Sequence, residues 1–222
     1  MIPSVVKDMW PRFWMRFAGL GICGRISTRL AALFVPPYRG RCSLAYMNRK
    51  GYISPSAQIC HDRLRFGRNV FVGDRVTIYR DFEGGAVELE DRVHLYGDTY
   101  IQTGDGGSVR IGRDTHIQPN CQFSGYKAAI EIGCEVQIAP RCAFYPYDHG
   151  LSLEEPIFKQ ALTTKGKITI EDDAWLGFGV IVLSGVRIGK GAVVGAGSVV
   201  SSSIPDGAIA VGVPARVVKF RS

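Results

Sequence analysis

The sequence predicts a mainly β chain, a solenoid of short parallel strands preceded by a basic helical segment. Three observations carry that reading. Large apolar residues recur at every sixth position over most of the chain. A small residue follows many of them four places later. The excess positive charge is confined to one end.

The charged end comes first in the chain. Residues 1–50 hold nine Lys and Arg against one Asp, whereas the remaining 172 residues carry 18 basic and 19 acidic side chains. The body is therefore neutral, and no basic surface for nucleic acid is expected. Between Met9 and Phe34, Phe13, Phe17, Leu20, Ile26, Leu30 and Leu33 recur at spacings of three, four and six, with Arg12, Arg16, Arg25 and Arg29 interleaved. Two readings stay open. Residues 1–35 lie in the headgroup region of an anionic membrane, or they form a helical pair that docks on the rest of the protein and covers its first coil. Gly19, Gly21 and Gly24 divide the segment into two short helices. The apolar run Phe17–Gly24 is too short to cross a bilayer, which needs about 20 residues. A cytoplasmic protein with reduced thiols is expected, at the inner face of the membrane if the segment binds lipid.

The repeat follows, over residues 51–205. Phe66, Val72 and Ile78 open a series continued by Leu89, Leu95 and Ile101, then Ile111, Ile117 and Phe123, then Ile132, Ile138 and Phe144. It resumes at Ile170 and runs through Leu176, Val182, Ile188 and Val194 to Val200. Each unit offers one large and one small apolar side chain on the same side, and a glycine often follows the large one at a tight bend. Three units make one coil of a triangular prism. A single coil cannot bury its own apolar face, so coils must stack, and about six are expected from 66 to 205. Residues 206–222 read as a C-terminal tail.

"AWLGFG", "GAGS" and "VGVPAR" occur in that order in the second half of the repeat, and "IGKGAVVGAGSVVSSSIPDGAIAVGVPARVVKF" (Ile188–Phe220) resembles the C-terminal signature of the hexapeptide-repeat acyltransferases. The maltose and galactoside O-acetyltransferases, with relatives that acetylate surface polysaccharides, are the branch it resembles. That resemblance implies a left-handed parallel β-helix, a homotrimer, acetyl-CoA as acyl donor and a saccharide acceptor.

One break in the repeat draws attention. At "FYPYDHG" (Phe144–Gly150) the register stops, and an excursion over 150–168 precedes its return at Ile170. A long loop without repeat is more often functional than structural. The resemblance assigns His149 as general base, a role that neutral imidazole suits because its pKa lies near working pH. Asp148 either fixes the tautomer of His149, grips the acceptor or caps the loop. Tyr147 and Asn120 are further acceptor candidates, with Ser124 and Tyr126 beside Asn120 in the coil beneath.

The donor residues implied by the same resemblance are Trp175, Gly177, Phe178, Ala196, Gly197, Ser201, Arg216 and Lys219. Trp175 lines a pantetheine tunnel between two subunits, glycines allow close approach, and Arg216 and Lys219 meet phosphates. Phe178 stands where a small polar residue is usual, and Ser201-Ser202 replace a Thr-Lys pair. No metal is expected. His94 and His116 share an outward column with Gln137, which reads as a polar interface, and the six cysteines follow no ligand spacing. Cys121 and Cys142 read as small core residues on adjacent coils. The expected activity is O-acetylation of a saccharide in surface-polysaccharide or lipid-linked glycan assembly. The competing readings are acetylation of a xenobiotic or of an amino sugar's nitrogen, and a non-catalytic trimeric scaffold.

Overall fold

The structure, a computed structural model, describes residues 4–222; the first three residues of the stretch 1–35, read as membrane-bound or docked, lie outside the described residues. Short strands wind into a parallel β-solenoid of about seven turns. Face one holds nine strands from Tyr52–Ile53 to Arg216–Phe220, face two holds seven from Gln58–Cys60 to Val199–Val200, and face three holds six from Leu64–Phe66 to Arg187–Ile188. Every pairing on these faces is parallel except the last on face one.

Both predicted columns point inward. Ile78, Ile101, Phe123, Phe144 and Val182 lie in register on face two and are all buried. The rings of Phe123 and Phe144 stack at 4.6 Å. Val76, Val93, Thr115, Cys121, Val136, Cys142 and Ala174 fill the places near the corners, equally buried. The solenoid begins one coil earlier than the repeat suggested, at Tyr52. Ile53 and Ile59 stack beneath Val72 and Ile78, but the step from Ile59 to Phe66 is seven residues, which hid this coil from a strict period of six.

The bends are also built differently from expectation. The glycine after the large residue does not supply the left-handed conformation. Asn69, Arg92, Asp114, Glu135 and Asp173 take that role at one edge, and Arg75, Asp98, Asn120 and Arg141 at another, all with φ between 55 and 63°. The glycine instead makes room for the next coil: a Cβ on Gly133 would stand 2.7 Å from the Asp172 backbone nitrogen, and one on Gly177 2.7 Å from that of Ala196. Residues 206–222 are not a loose tail. Ala208–Val211 extends face one and Arg216–Phe220 folds back antiparallel upon it, closing the top of the solenoid.

At the other end α1 (Ser4–Met15), α2 (Ile22–Ala31) and the short α3 (Cys42–Ala45) cover the outer side of face one. Gly24 packs so closely on Gly19 that a Cβ there would lie 2.5 Å from its carbonyl oxygen, which draws α1 and α2 into a hairpin. Met15, Ala18, Ala31, Leu44 and Ala45 pack with Tyr52, Phe71 and Tyr96 of the solenoid. His94 is thus covered by the chain's own N-terminal segment, whereas His116 is half-buried and Gln137, the next of the column, is exposed. The rings of His94 and His116 stack at 4.4 Å, and Tyr46 Oη lies 3.2 Å from His94 Nε2.

His94 is 3% exposed and its Nδ1 has no hydrogen-bond partner. Burial, with the neighbouring His116 second, lowers its pKa to about 4. An unfolded chain takes up a proton on this ring near pH 6.5, and the folded chain does so only near 4. Stability from this group is therefore complete above about pH 6.5 and falls as pH drops toward 4, by about 3 kcal/mol in all. Melting curves between pH 7 and pH 4 are expected to show a steeper loss for the wild type than for His94→Gln. Parallel curves would remove the histidine from the account.

Candidate functional site

Each coil passes through three edges, and the predicted site residues divide between two of them. The edge joining faces two and three carries the insertions 81–86, 105–108 and 127–129 and, on the fifth coil, the long excursion. Asp148–His149 leaves face two there and pairs antiparallel with Leu162–Thr163, so a two-rung ribbon closes the base of the loop. Thr164 Oγ1 donates to the Pro146 carbonyl at 2.5 Å, and Gln160 ties Ser152 and Glu155 together inside the loop. The excursion is a held wall.

His149 is exposed on this ribbon, and among the described residues its imidazole enters no hydrogen bond. Asp148 does not orient it. Neighbours along a strand point to opposite sides, and the Asp148 carboxylate turns away to accept a 2.8 Å bond from the buried Ser184 Oγ on the sixth coil. The anchoring role is the one observed. Ser184 went unnoticed in the sequence because nothing in a local pattern signals a contact between chain segments joined only by folding.

Tyr147 lies half-buried on face two just before the ribbon. Its hydroxyl is 3.5 Å from Ser124 Oγ, and its ring is 5.6 Å from Tyr126. Tyr126 donates to Asp81 and accepts from Gln102 Nε2. Burial, then the bond to Asp81, raises the Tyr126 pKa, and the same bond lowers that of Asp81. Hydroxyl and amide groups thus form a chain of contacts from Tyr147, two residues before His149, down to Asp81. Asn120 is not among them. It occupies a left-handed turn position, φ 63°, on the edge joining faces one and two. The width of face two, roughly 15–20 Å at about 3.3 Å per residue, separates it from His149.

That other edge gathers the predicted donor residues. Trp175 projects outward from face one, 53% exposed, and Phe178 stands on the edge itself, 49% exposed, with the Arg141 guanidinium 5.6 Å from its ring centre. Gly177, Gly179, Ala196 and Gly197 line the edge on the sixth and seventh coils. Nothing lies within 4 Å of a Cβ built on Gly179 or Gly197, so the edge is open to an extended ligand. Arg216 begins the closing strand opposite Val211, and Lys219 follows opposite Ile209. Ser201 departs from this group: it follows Val199–Val200 onto the His149 edge. Cys121 and Cys142 are buried on adjacent coils, with their thiols turned to the Ala139 and Gly177 carbonyls. Among the described residues no cluster of His, Cys, Asp or Glu has a metal-holding arrangement.

Residues 167–202 match the family described as "Bacterial transferase hexapeptide (six repeats)". Over 51 residues the chain is 59% identical to the galactoside O-acetyltransferase of Lactococcus lactis, covering 23% of this chain and 25% of that protein. Over 153 residues it is 37% identical to a probable acetyltransferase of Mycobacterium tuberculosis, covering 68% of this chain and 50% of the other. The chain thus spans a quarter to a half of the length of these curated relatives. Among solved structures it resembles a variant of an N-acyltransferase from Bacillus cereus in complex with dTDP and coenzyme A, with a TM-score of 0.61 and 27% identity, covering 71% of this chain and 84% of that one. The solenoid matches the left-handed β-helix of such acyltransferases.

The Ser184 bond makes the loop root testable. Ser184→Ala leaves the Asp148 carboxylate without its partner, a change of about 1–2 kcal/mol at a partly buried site. Limited proteolysis is expected to cut within 150–161 faster in this variant, with the melting midpoint of the solenoid little moved. Equal cutting rates would dismiss Ser184 as the anchor.

Proposed function

We propose that the chain is a hexapeptide-repeat transferase, the family that its residues 167–202 match, and that it transfers an acetyl group from acetyl-CoA to a hydroxyl of a saccharide. The observation that carries the proposal is the exposed, unbonded imidazole of His149 at the one long break in the repeat. In the proposed step His149 takes the proton of the acceptor hydroxyl as its oxygen attacks the thioester carbonyl. The tetrahedral intermediate then expels the thiolate, which recovers the proton from the imidazolium. Backbone amides stabilise the oxyanion. No cysteine intermediate is needed, since Cys121 and Cys142 are sealed in the core.

The donor's chemistry fits the edge between faces one and two. A pantetheine arm needs an open, flat, apolar wall, which Trp175 and the glycine-lined edge offer, and its phosphates need cations, which Arg216 and Lys219 offer. This edge and the His149 edge bound opposite sides of face two, so one copy does not bring thioester and base together. We therefore propose a ring of three copies, in which the donor edge of one faces the His149 edge of the next. Trp175, Phe178 and Ile181, all well exposed, are apolar surface that such a contact would cover.

A second acceptor class has one observation in its favour. The solved N-acyltransferase that the chain resembles was crystallised with dTDP, and an amine of a nucleotide-linked amino sugar would use the same base. Saccharide hydroxyls are preferred because a stretch of 51 residues is 59% identical to a galactoside O-acetyltransferase. Acetylation of surface polysaccharide or of a lipid-linked glycan is the setting proposed for the hydroxyl reaction. A panel of saccharides and amino sugars assayed with acetyl-CoA separates the two.

His149→Ala is expected to lower acetyl transfer by roughly 100- to 10,000-fold with the melting temperature kept, because the side chain is exposed. An unchanged rate would end the proposal. Trp175→Glu is expected to be inactive by itself through loss of donor binding. Co-expressed with His149→Ala, it should recover about a quarter of wild-type activity, the share of junctions in a random ring that pair an intact donor edge with an intact histidine. No recovery would mean that both parts act within one chain.

A further inference from the structure

We propose that the helical hairpin α1–α2 binds the surface of a membrane rich in anionic phospholipid, lying in its headgroup region without crossing it. The inference is independent of the acetyl-transfer reading. Both helices turn one side to the solenoid: Pro11, Met15 and Ala18 from the first, Gly24, Ser27, Thr28 and Ala31 from the second. The opposite side faces away from the protein and is apolar. Met9, Phe13 and Phe17 follow one another at intervals of four, and Ile22, Ile26 and Leu33 line the second helix and its extension, with Leu20 at the bend. Phe13 and Phe17 are each more than half exposed, and Ile22 is 80% exposed.

Charge decides which partner this face fits. Arg12, Arg16 and Arg29 stand exposed among the apolar residues, and among the described residues none of them enters an ion pair. The one acidic residue of the first 50 is Asp8. A second copy of the same face would set unpaired arginines against arginines, whereas lipid phosphates would meet each of them. Arg25 differs: its guanidinium bonds the Leu20 and Ala57 carbonyls and fixes α2 to the first coil. Exposed aromatic and aliphatic side chains interleaved with arginine are the composition of an interfacial helix. Among the described residues no helix is long and apolar enough to cross a membrane.

The test uses the full chain and vesicles of phosphatidylcholine, with and without phosphatidylglycerol. Co-sedimentation is expected with the anionic vesicles and not with the neutral ones, and it should weaken as salt rises. Phe13→Ser with Phe17→Ser should reduce binding at least about tenfold. Arg12→Gln with Arg16→Gln should reduce it roughly fivefold for each charge removed, and Arg12→Lys with Arg16→Lys should restore it. These positions are exposed, so an unchanged melting temperature and an unchanged oligomeric mass are expected for all the variants. Absence of binding, equal binding to both kinds of vesicle, or binding unaffected by the phenylalanine changes would overturn the proposal. A fall in oligomeric mass on replacing Phe13 and Phe17 would overturn it too, because the face would then join copies of this chain.

Discussion

A strand of two to five residues has no stability of its own, and every face of this protein is made of such strands. What makes them persist is that each large inward side chain lands on the one a coil below. The spacing of six is therefore a packing constraint before it is a sequence pattern. Wherever it holds, the interior is a stack of aliphatic and phenyl side chains, and the only freedom left is at the outward positions and the edges. Chemistry in such a molecule has to be mounted there. The insertions collect on one edge for the same reason: lengthening the bend between faces two and three leaves all three columns in register.

This division explains what could be read from the residues alone. Inward positions obey the repeat, so both columns were legible, from Val72 to Val200. The missing register after His149 was legible for the same reason. Outward positions obey no period, and there the sequence misled. His94 and His116 read as polar interface residues because a column on face one looks exposed until one knows that Leu44 and Tyr46 lie across it. Asn120 read as a ligand candidate because its coil lies beneath His149; it sits at a left-handed turn that Arg75, Asp98 and Arg141 hold on other coils, across face two from the His149 of its own chain. The first coil was hidden by one additional residue between Ile59 and Phe66, and the anchor of Asp148 by the distance in sequence to Ser184.

The glycines illustrate how one residue type answers two demands. At the bends the backbone must turn through positive φ, and Asn, Asp, Arg and Glu accept that conformation at a modest cost. Two positions earlier, at Gly67, Gly112, Gly133, Gly177 and Gly189, the chain runs against the backbone of the next coil and a side chain would not fit. That demand is local, for Glu90, Tyr96, Gln118, Ala139 and Glu171 stand at the equivalent place on other coils with their side chains. On the sixth and seventh coils Gly179 and Gly197 take over the turning position as well, with φ 70°. Those are the two coils whose edge lies open between Trp175 and Arg216. The coils below turn at this edge without glycine, so the bare backbone suits the donor site proposed above, although glycine also turns the seventh coil at Gly191 on another edge.

Two histidine environments differ in the way the proposed role of His149 requires. His94 keeps to the coil and is sealed between Phe71, Tyr96 and His116. One ring nitrogen meets Tyr46 and the other meets nothing, so a second N–H would have no acceptor, and the ring stays neutral far below the pH at which free imidazole titrates. Such a group cannot take a proton during a reaction. His149 stands on a ribbon outside the coil, open to solvent, with its neighbour Asp148 engaged elsewhere by Ser184. The carboxylate therefore secures the backbone that carries the imidazole without pinning the ring itself, which leaves both nitrogens free for the proton transfers proposed above.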